Sequence, residues 1–186
     1  MPEVIFNGPA GRLEGRYQAA KEKNAPIAIV LHPHPRFGGT MNNQIVYQLF
    51  YMFQERGFTT LRFNFRGTGN SAGTYDEGNG ETTDLAAVVA WVRRERPDHA
   101  LWLAGFSFGA YVSLRASDAL QPDGLISIAP PAGRWDFESI VLPRCPWLVI
   151  QGEADEIVDP EAVYHWLDDS GADAELVRMP DTSHFF

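Results

Sequence analysis

Short runs of apolar residues alternate with longer segments of helical periodicity along most of the chain. Continuous apolar runs are typical of strands buried on both faces of a sheet, whereas apolar residues three or four positions apart indicate a helix with one buried face. The runs predict strands at 27–31, 59–65, 100–104, 125–129, 147–151 and 174–179. The helical spacing predicts helices at 42–56, at 81–94, from the end of GFSFG to about 117, and at 160–168. This alternation predicts an α/β fold with a mostly parallel central sheet and helices on both faces.

The amino-terminal segment follows a different pattern. Residues 4–20 contain two short strand-like runs joined through the turn GPAGR, which predicts an antiparallel start to the sheet. The chain has 186 residues, of which 45% are hydrophobic and 21% charged, and this is enough for one ordinary core. We therefore expect a single domain over residues 1–186.

Charge and cysteine content narrow the classes of partner and compartment. The formal net charge is -9, from 15 Lys and Arg against 24 Asp and Glu, and the basic residues are scattered, so we expect no nucleic-acid partner. No apolar stretch reaches the length of a bilayer span, and we expect no membrane association. The single cysteine, Cys145, cannot form an intrachain disulfide, which favours a cytoplasmic location.

The strongest chemical signal is Gly105-Phe106-Ser107-Phe108-Gly109, which matches the pattern G-x-S-x-G. The five residues lie between a strand-like run, ALWLA, and a helical segment, AYVSLRAS. A sharp strand-to-helix turn needs glycines where side chains would clash, and it raises the serine above the sheet next to the positive end of a helix. Ser107 is therefore the predicted nucleophile.

A serine hydroxyl needs a neighbouring base, and the base needs a group that orients it. In the predicted fold the acid follows the nucleophile along the chain and the histidine comes last. Asp155 follows the strand WLVIQ and His184 follows the strand AELVRM, so that both would reach the carboxyl edge of the sheet with Ser107. Other acids of the same loop stay open as alternatives to Asp155: Glu153, Glu156 and Asp159.

The oxyanion that forms during acyl transfer requires hydrogen-bond donors. The backbone amide of Phe108, directly after the nucleophile, is one expected donor. The second is expected from the loop HPHPR, where the prolines have no amide hydrogen; His34 is the preferred donor, with Arg36 behind it. Two histidines in this loop could also bind a metal, but no acid or cysteine accompanies them, so we expect no metal site.

Several longer motifs carry a resemblance to the α/β-hydrolase superfamily: LHPHPRFGGTMNN, FNFRGTGNSAG, GFSFGA, QGEADEIVDP and TSHFF. Together they resemble the small lidless bacterial serine hydrolases related to dienelactone-hydrolase-like proteins. The resemblance implies Ser107, Asp155 and His184 as the catalytic residues, with the amides of Phe108 and His34 as oxyanion donors.

Three departures from this resemblance are visible in the sequence. Dienelactone hydrolases proper use a cysteine nucleophile, whereas Cys145 lies outside the motif and is expected to be inert. Many relatives carry a lid after the sixth strand, and the short segment between Ala129 and Trp147 leaves no room for one. Relatives usually continue past the histidine into a further helix, whereas this sequence stops at Phe186, so that either this helix is missing from the chain or the surface that it would cover is exposed.

The predicted activity is hydrolysis of small, accessible carboxylic esters or thioesters through an acyl-enzyme, without a cofactor. Acyl transfer to another acceptor, peptide cleavage and a non-catalytic binding role on the same fold stay open as alternatives. Five aromatic residues near the predicted loops are candidates for an acyl pocket: Phe37, Phe106, Phe108, Trp135 and Phe185. The sequence does not indicate an oligomeric state.

Overall fold

The computed structural model describes residues 2–186, which form eight strands and four α-helices around one sheet. The strands are β1 (Glu3–Gly8), β2 (Gly11–Gln18), β3 (Ile27–Leu31), β4 (Thr59–Phe63), β5 (Leu101–Phe106), β6 (Gly124–Ile128), β7 (Trp147–Gly152) and β8 (Glu175–Met179). The helices are α1 (Gln44–Glu55), α2 (Asn79–Glu95), α3 (Phe108–Leu120) and α4 (Pro160–Ser170). A short 3-10 helix covers Pro35–Phe37.

The strand order in the sheet is β1-β2-β4-β3-β5-β6-β7-β8. The hairpin β1–β2 is antiparallel and β2 pairs antiparallel with β4, while β3 to β8 run parallel to one another. This confirms the predicted α/β-hydrolase fold. Parallel strands end at the same edge, so the loops after β3, β5, β6, β7 and β8 all meet there.

The sheet is buried between two apolar layers. On one face α2, α3 and α4 contribute to a large cluster that includes Phe63, Leu103 and Val149. On the other face α1 packs on the central strands through Val46, Phe50 and Phe53. All five residues of β3 and of β4 are buried, as expected for strands covered on both faces.

At two element ends a side chain explains the difference from the sequence prediction. Beyond Phe63, the last residue of β4, the Asn64 amide still donates to the Glu14 carbonyl of β2, but the Phe65 amide donates to Nε2 of His32 instead of to a neighbouring strand. Helix α2 begins at Asn79 rather than near Glu81. The Glu81 carboxylate accepts from the amides just before the helix, at 2.8 Å from Gly78, and this capping defines the earlier start.

The connection between β6 and β7 is short. Residues 129–146 contain no helix or strand, and this confirms the prediction of a fold without a lid. No helix between residues 2 and 186 combines the length and apolar character of a membrane span.

Candidate active site

Ser107 occupies the sharp turn between β5 and α3. Its backbone has a positive φ of 52° and its amide donates to the Ile128 carbonyl at 2.8 Å. The two glycines of the motif are required by close contacts: a Cβ on Gly105 would collide with the backbone of Gly109, and one on Gly109 would lie 2.5 Å from the Leu31 carbonyl oxygen. The backbone therefore adopts the strained strand-to-helix turn that the G-x-S-x-G pattern predicts.

Asp155 is buried in the loop after β7, and four donors surround its carboxylate. Oδ1 accepts from the amides of Ile157 and Val158, at 2.8 and 2.7 Å. Oδ2 accepts from the Gln151 side chain at 3.1 Å and lies 2.8 Å from Nδ1 of His184. Burial alone raises the pKa of Asp155, but the His184 bond and the two amide bonds outweigh it, so that the pKa falls below its usual value. The carboxylate is thus ionised and fixed in orientation.

His184 is buried in the loop after β8. Its ring packs against two phenylalanines, with ring centroids 5.0 Å apart for Phe106 and 5.2 Å apart for Phe185. Its backbone amide donates to Oε2 of Glu156 at 3.2 Å. The contact at Asp155 orients Nδ1 toward the acid and leaves Nε2 for another partner. Of the four acids in the loop, Asp155 is the one that reaches the imidazole.

Ser107 and His184 line one cavity of about 300 Å³ at the carboxyl edge of the sheet. The Ser107 hydroxyl makes no hydrogen bond to residues 2–186. Catalytic hydrogen bonds are often long without substrate and tighten when it binds. The structure therefore brings the three predicted residues to one site, with the His184–Asp155 bond formed.

The two predicted oxyanion donors have free amides. Neither the Phe108 amide nor the His34 amide has a hydrogen-bond partner within residues 2–186. Phe108 is the first residue of α3, where helix geometry leaves the amide without an intrahelical acceptor, and His34 lines the cavity. Both groups are thus available to an external acceptor.

The His34 side chain is held by contacts that the sequence did not reveal. Its Nδ1 accepts from the Arg36 amide at 3.2 Å, and its Nε2 lies 3.1 Å from the Tyr75 hydroxyl. Because Nδ1 accepts, the neutral ring carries its proton on Nε2 and donates it to Tyr75. Burial, with a smaller contribution from the Arg36 cation, lowers the pKa of His34 and favours this neutral form. The rings of Phe108 and Trp135 also pack on it.

The neighbouring His32 has a structural environment. It is fully buried, its Nε2 accepts from the Phe65 amide at 3.1 Å, and its Nδ1 lies 2.7 Å from the Pro33 carbonyl oxygen, to which it donates. Burial lowers the pKa of His32 to about 4. Both ring nitrogens are therefore occupied. Within residues 2–186 no three His, Cys, Asp or Glu side chains are grouped as metal ligands would be.

Of the five aromatic candidates for the pocket, the structure places Phe37 and Phe185 at the cavity wall. Phe106 and Phe108 are buried in the core, and Trp135 packs against Tyr111 instead, with ring centroids 5.1 Å apart. Arg134, a charged residue of the cavity wall, was not among the residues predicted from the sequence. No motif marks it, because it follows β6 in a segment whose position depends on the tertiary fold.

Comparisons with known proteins agree with this architecture. The family model described as X-Pro dipeptidyl-peptidase (S15 family) matches residues 4–143. Protein XC6422 of Xanthomonas campestris, described as an α/β serine hydrolase without a lid, superposes with a TM-score of 0.94 at 54% identity, over 100% of this chain and 86% of that one.

Two further proteins are similar to this chain in sequence. The uncharacterized protein RP471 of Rickettsia prowazekii is 40% identical over 168 residues, which are 88% of this chain and 71% of that protein. The lysophosphatidylserine lipase ABHD12 of Rattus norvegicus is 28% identical over 135 residues, so the chain spans about a third (33%) of that lipase. On the matched model, these relatives and the observed fold, the chain belongs to the S15 family of the α/β-hydrolase superfamily and is an α/β serine hydrolase without a lid.

Proposed function

We propose that the protein hydrolyses carboxylic esters or thioesters of small, accessible substrates through an acyl-enzyme on Ser107. The observation that carries the proposal is the buried hydrogen bond of 2.8 Å between His184 and Asp155 at the cavity that Ser107 lines. A purely structural histidine does not require a buried, ionised carboxylate as its partner. A buried carboxylate that orients a histidine beside a serine on a strained turn is the arrangement that acyl transfer needs.

In this mechanism Nε2 of His184 removes the proton from the Ser107 hydroxyl as its oxygen attacks the substrate carbonyl. The negative charge that develops on the carbonyl oxygen is stabilised by the free amides of Phe108 and His34. The imidazolium, stabilised by ionised Asp155, then donates its proton to the leaving alcohol or thiol. Water, activated by the same imidazole, releases the acid and restores the serine. These steps need no cofactor.

The first experiment measures hydrolysis of 4-nitrophenyl esters from acetate to decanoate by the wild type and by Ser107→Ala. A matched control is Ser113→Ala, on the same helix, whose hydroxyl bonds to the Ala110 carbonyl away from the cavity. We expect turnover to fall to background in the first variant and to persist in the second. Equal activity in the wild type and Ser107→Ala would refute the proposal.

Peptide cleavage is the second candidate, because the matched family model is described as an X-Pro dipeptidyl-peptidase. Ser107, His184 and Asp155 would attack an amide by the same steps, so the structure does not separate the two activities. The relative rates of cleavage of an amide and an ester do. Gly-Pro-4-nitroanilide and 4-nitrophenyl butyrate, assayed side by side, distinguish them. A kcat/KM for the anilide that equals or exceeds that for the ester would favour the peptidase.

Acyl transfer to an alcohol or amine is a variant of the same mechanism. Product analysis in the presence of a competing alcohol separates it from hydrolysis, since transfer yields a new ester in place of the free acid.

The single cysteine, Cys145, is free and partly buried, and the proposal includes a cytoplasmic location, where such a thiol stays reduced.

A further inference from the structure

One wall of the cavity carries charge, while much of the rest is apolar. Phe37, Ile157 and Phe185 present apolar side chains, and Arg134 and Glu156 lie on the charged wall. Arg134 is the only Lys or Arg among the described residues that line this cavity. The chain as a whole has a net charge of -9, so a cation at this cavity gives the cavity a local attraction for anionic substrates that the rest of the surface lacks.

The guanidinium of Arg134 has no partner of its own within residues 2–186, since it makes no hydrogen bond and no ion pair there. Glu156 lines the same cavity but forms no ion pair with Arg134; its Oε2 accepts from the His184 amide at 3.2 Å. An arginine side chain has five donors in a planar fork, which matches the two oxygens of a carboxylate. The free fork at the cavity is therefore available to a ligand.

The backbone that carries Arg134 is ordered by a compact turn after β6. The Arg134 amide donates to the Pro131 carbonyl at 3.2 Å, and the Ala132 amide donates to the Pro130 carbonyl at 2.8 Å. Two adjacent prolines restrict this segment further. These turns give the backbone at Arg134 a defined position within the connection between β6 and β7.

Arg134 also lines a second cavity of about 380 Å³, which shares Glu156 and Ile157 with the first. Apart from Arg134 the charged residues that line this second cavity are acidic: Asp155, Glu156 and Asp159. An anion would be attracted to Arg134 and repelled by these carboxylates. The favourable position for an anionic group in the two cavities is therefore at the Arg134 guanidinium.

We infer that Arg134 selects esters that carry a second, ionised carboxyl group, with the reacting carbonyl at Ser107 and the distant carboxylate on the guanidinium. This inference rests on the proposed esterase function and deepens it by naming the substrate class. The carboxylate could belong to the acyl part, as in monoesters of dicarboxylic acids, or to the alcohol part. Both share the chemistry of a carboxylate bound by the arginine fork.

The test compares each anionic ester with a neutral ester of similar length, by following acid release at constant pH. Monomethyl glutarate and methyl pentanoate test the acyl part, and 4-acetoxybutanoate and butyl acetate test the alcohol part. Arg134→Gln removes the charge, and Arg134→Lys keeps the charge without the fork. Arg144→Gln is the matched control, since Arg144 is also exposed but lines a different cavity, with a 3.7 Å ion pair to Asp118.

We expect Arg134→Gln to lower kcat/KM for one of the anionic esters by about five- to tenfold, a factor limited by the solvent exposure of the arginine. The matched neutral ester should change by less than about twofold, Arg134→Lys should be intermediate, and Arg144→Gln should leave both within about twofold. The preference should also weaken as salt is added.

An equal effect of Arg134→Gln on charged and neutral esters would overturn the inference and leave the esterase function intact. A wild type that cleaves the neutral esters but neither anionic ester would overturn it in the same way. Failure to cleave any ester, in a protein that is folded by circular dichroism, would overturn the proposed function and this inference with it.

Discussion

His32 connects the end of β3 with the end of β4, and its protonation should destabilise the fold. The ring is fully buried, its Nε2 accepts from the Phe65 amide, and its pKa is lowered to about 4 from the ordinary 6.5. A histidine with a lowered pKa in the folded state contributes stability above its unfolded pKa, and this contribution is lost as the pH falls toward the folded pKa. The free energy of unfolding should therefore decrease as the pH falls from 6.5 to about 4.

The size of the effect follows from the two pKa values. Each pH unit between them corresponds to about 1.4 kcal/mol, so the full range costs about 3 kcal/mol of unfolding free energy. The matched variant is His32→Asn, which does not titrate. It should be less stable than the wild type by about 2 kcal/mol at pH 7.5, because the Phe65 amide loses its acceptor. That difference should shrink, and then reverse, as the pH falls to 4.

Urea unfolding of both proteins at intervals from pH 7.5 to 4 measures the difference directly, since the other titrating groups are common to the two chains. Nitrogen chemical shifts of the imidazole provide an independent readout, with Nδ1 protonated and Nε2 unprotonated at neutral pH. Parallel stability profiles of wild type and His32→Asn over this range would refute the reasoning, as would a His32 that titrates near 6.5.

Three further predictions concern the candidate site. Gly109→Ala should lower stability by more than about 2 kcal/mol, measured by thermal unfolding, because the new Cβ would lie 2.5 Å from a backbone oxygen of β3; a Tm equal to that of the wild type would contradict the observed close contact. Asp155→Asn should reduce kcat about 10³- to 10⁴-fold, because His184 would lose the acceptor that fixes its tautomer, and unchanged kcat would show that another acid orients the ring. Tyr75→Phe removes the hydroxyl that accepts from His34, and should lower kcat about threefold with little change in KM; a change confined to KM would indicate a role in substrate binding.

Much of the fold could be predicted from local features of the sequence. The five-residue apolar runs of β3 and β4 are buried along their whole length, and the G-x-S-x-G pattern lies at the predicted strand-to-helix turn. These predictions succeed because periodicity and turn chemistry depend on neighbouring residues. Element ends were less accurate, since the start of α2 depends on where the Glu81 carboxylate finds its donors.

The sequence by itself determined the alternation of strands and helices, the glycines around Ser107 and the placement of candidate residues after parallel strands. Only the tertiary structure decided which of four nearby acids contacts His184, that Tyr75 bonds to His34 from 41 positions away, and that Arg134 reaches the cavity. The physical reason is that these contacts join separate loops. A shift of one residue in any of these loops would present a different side chain, and the sheet that fixes their relative positions forms only when the whole chain packs.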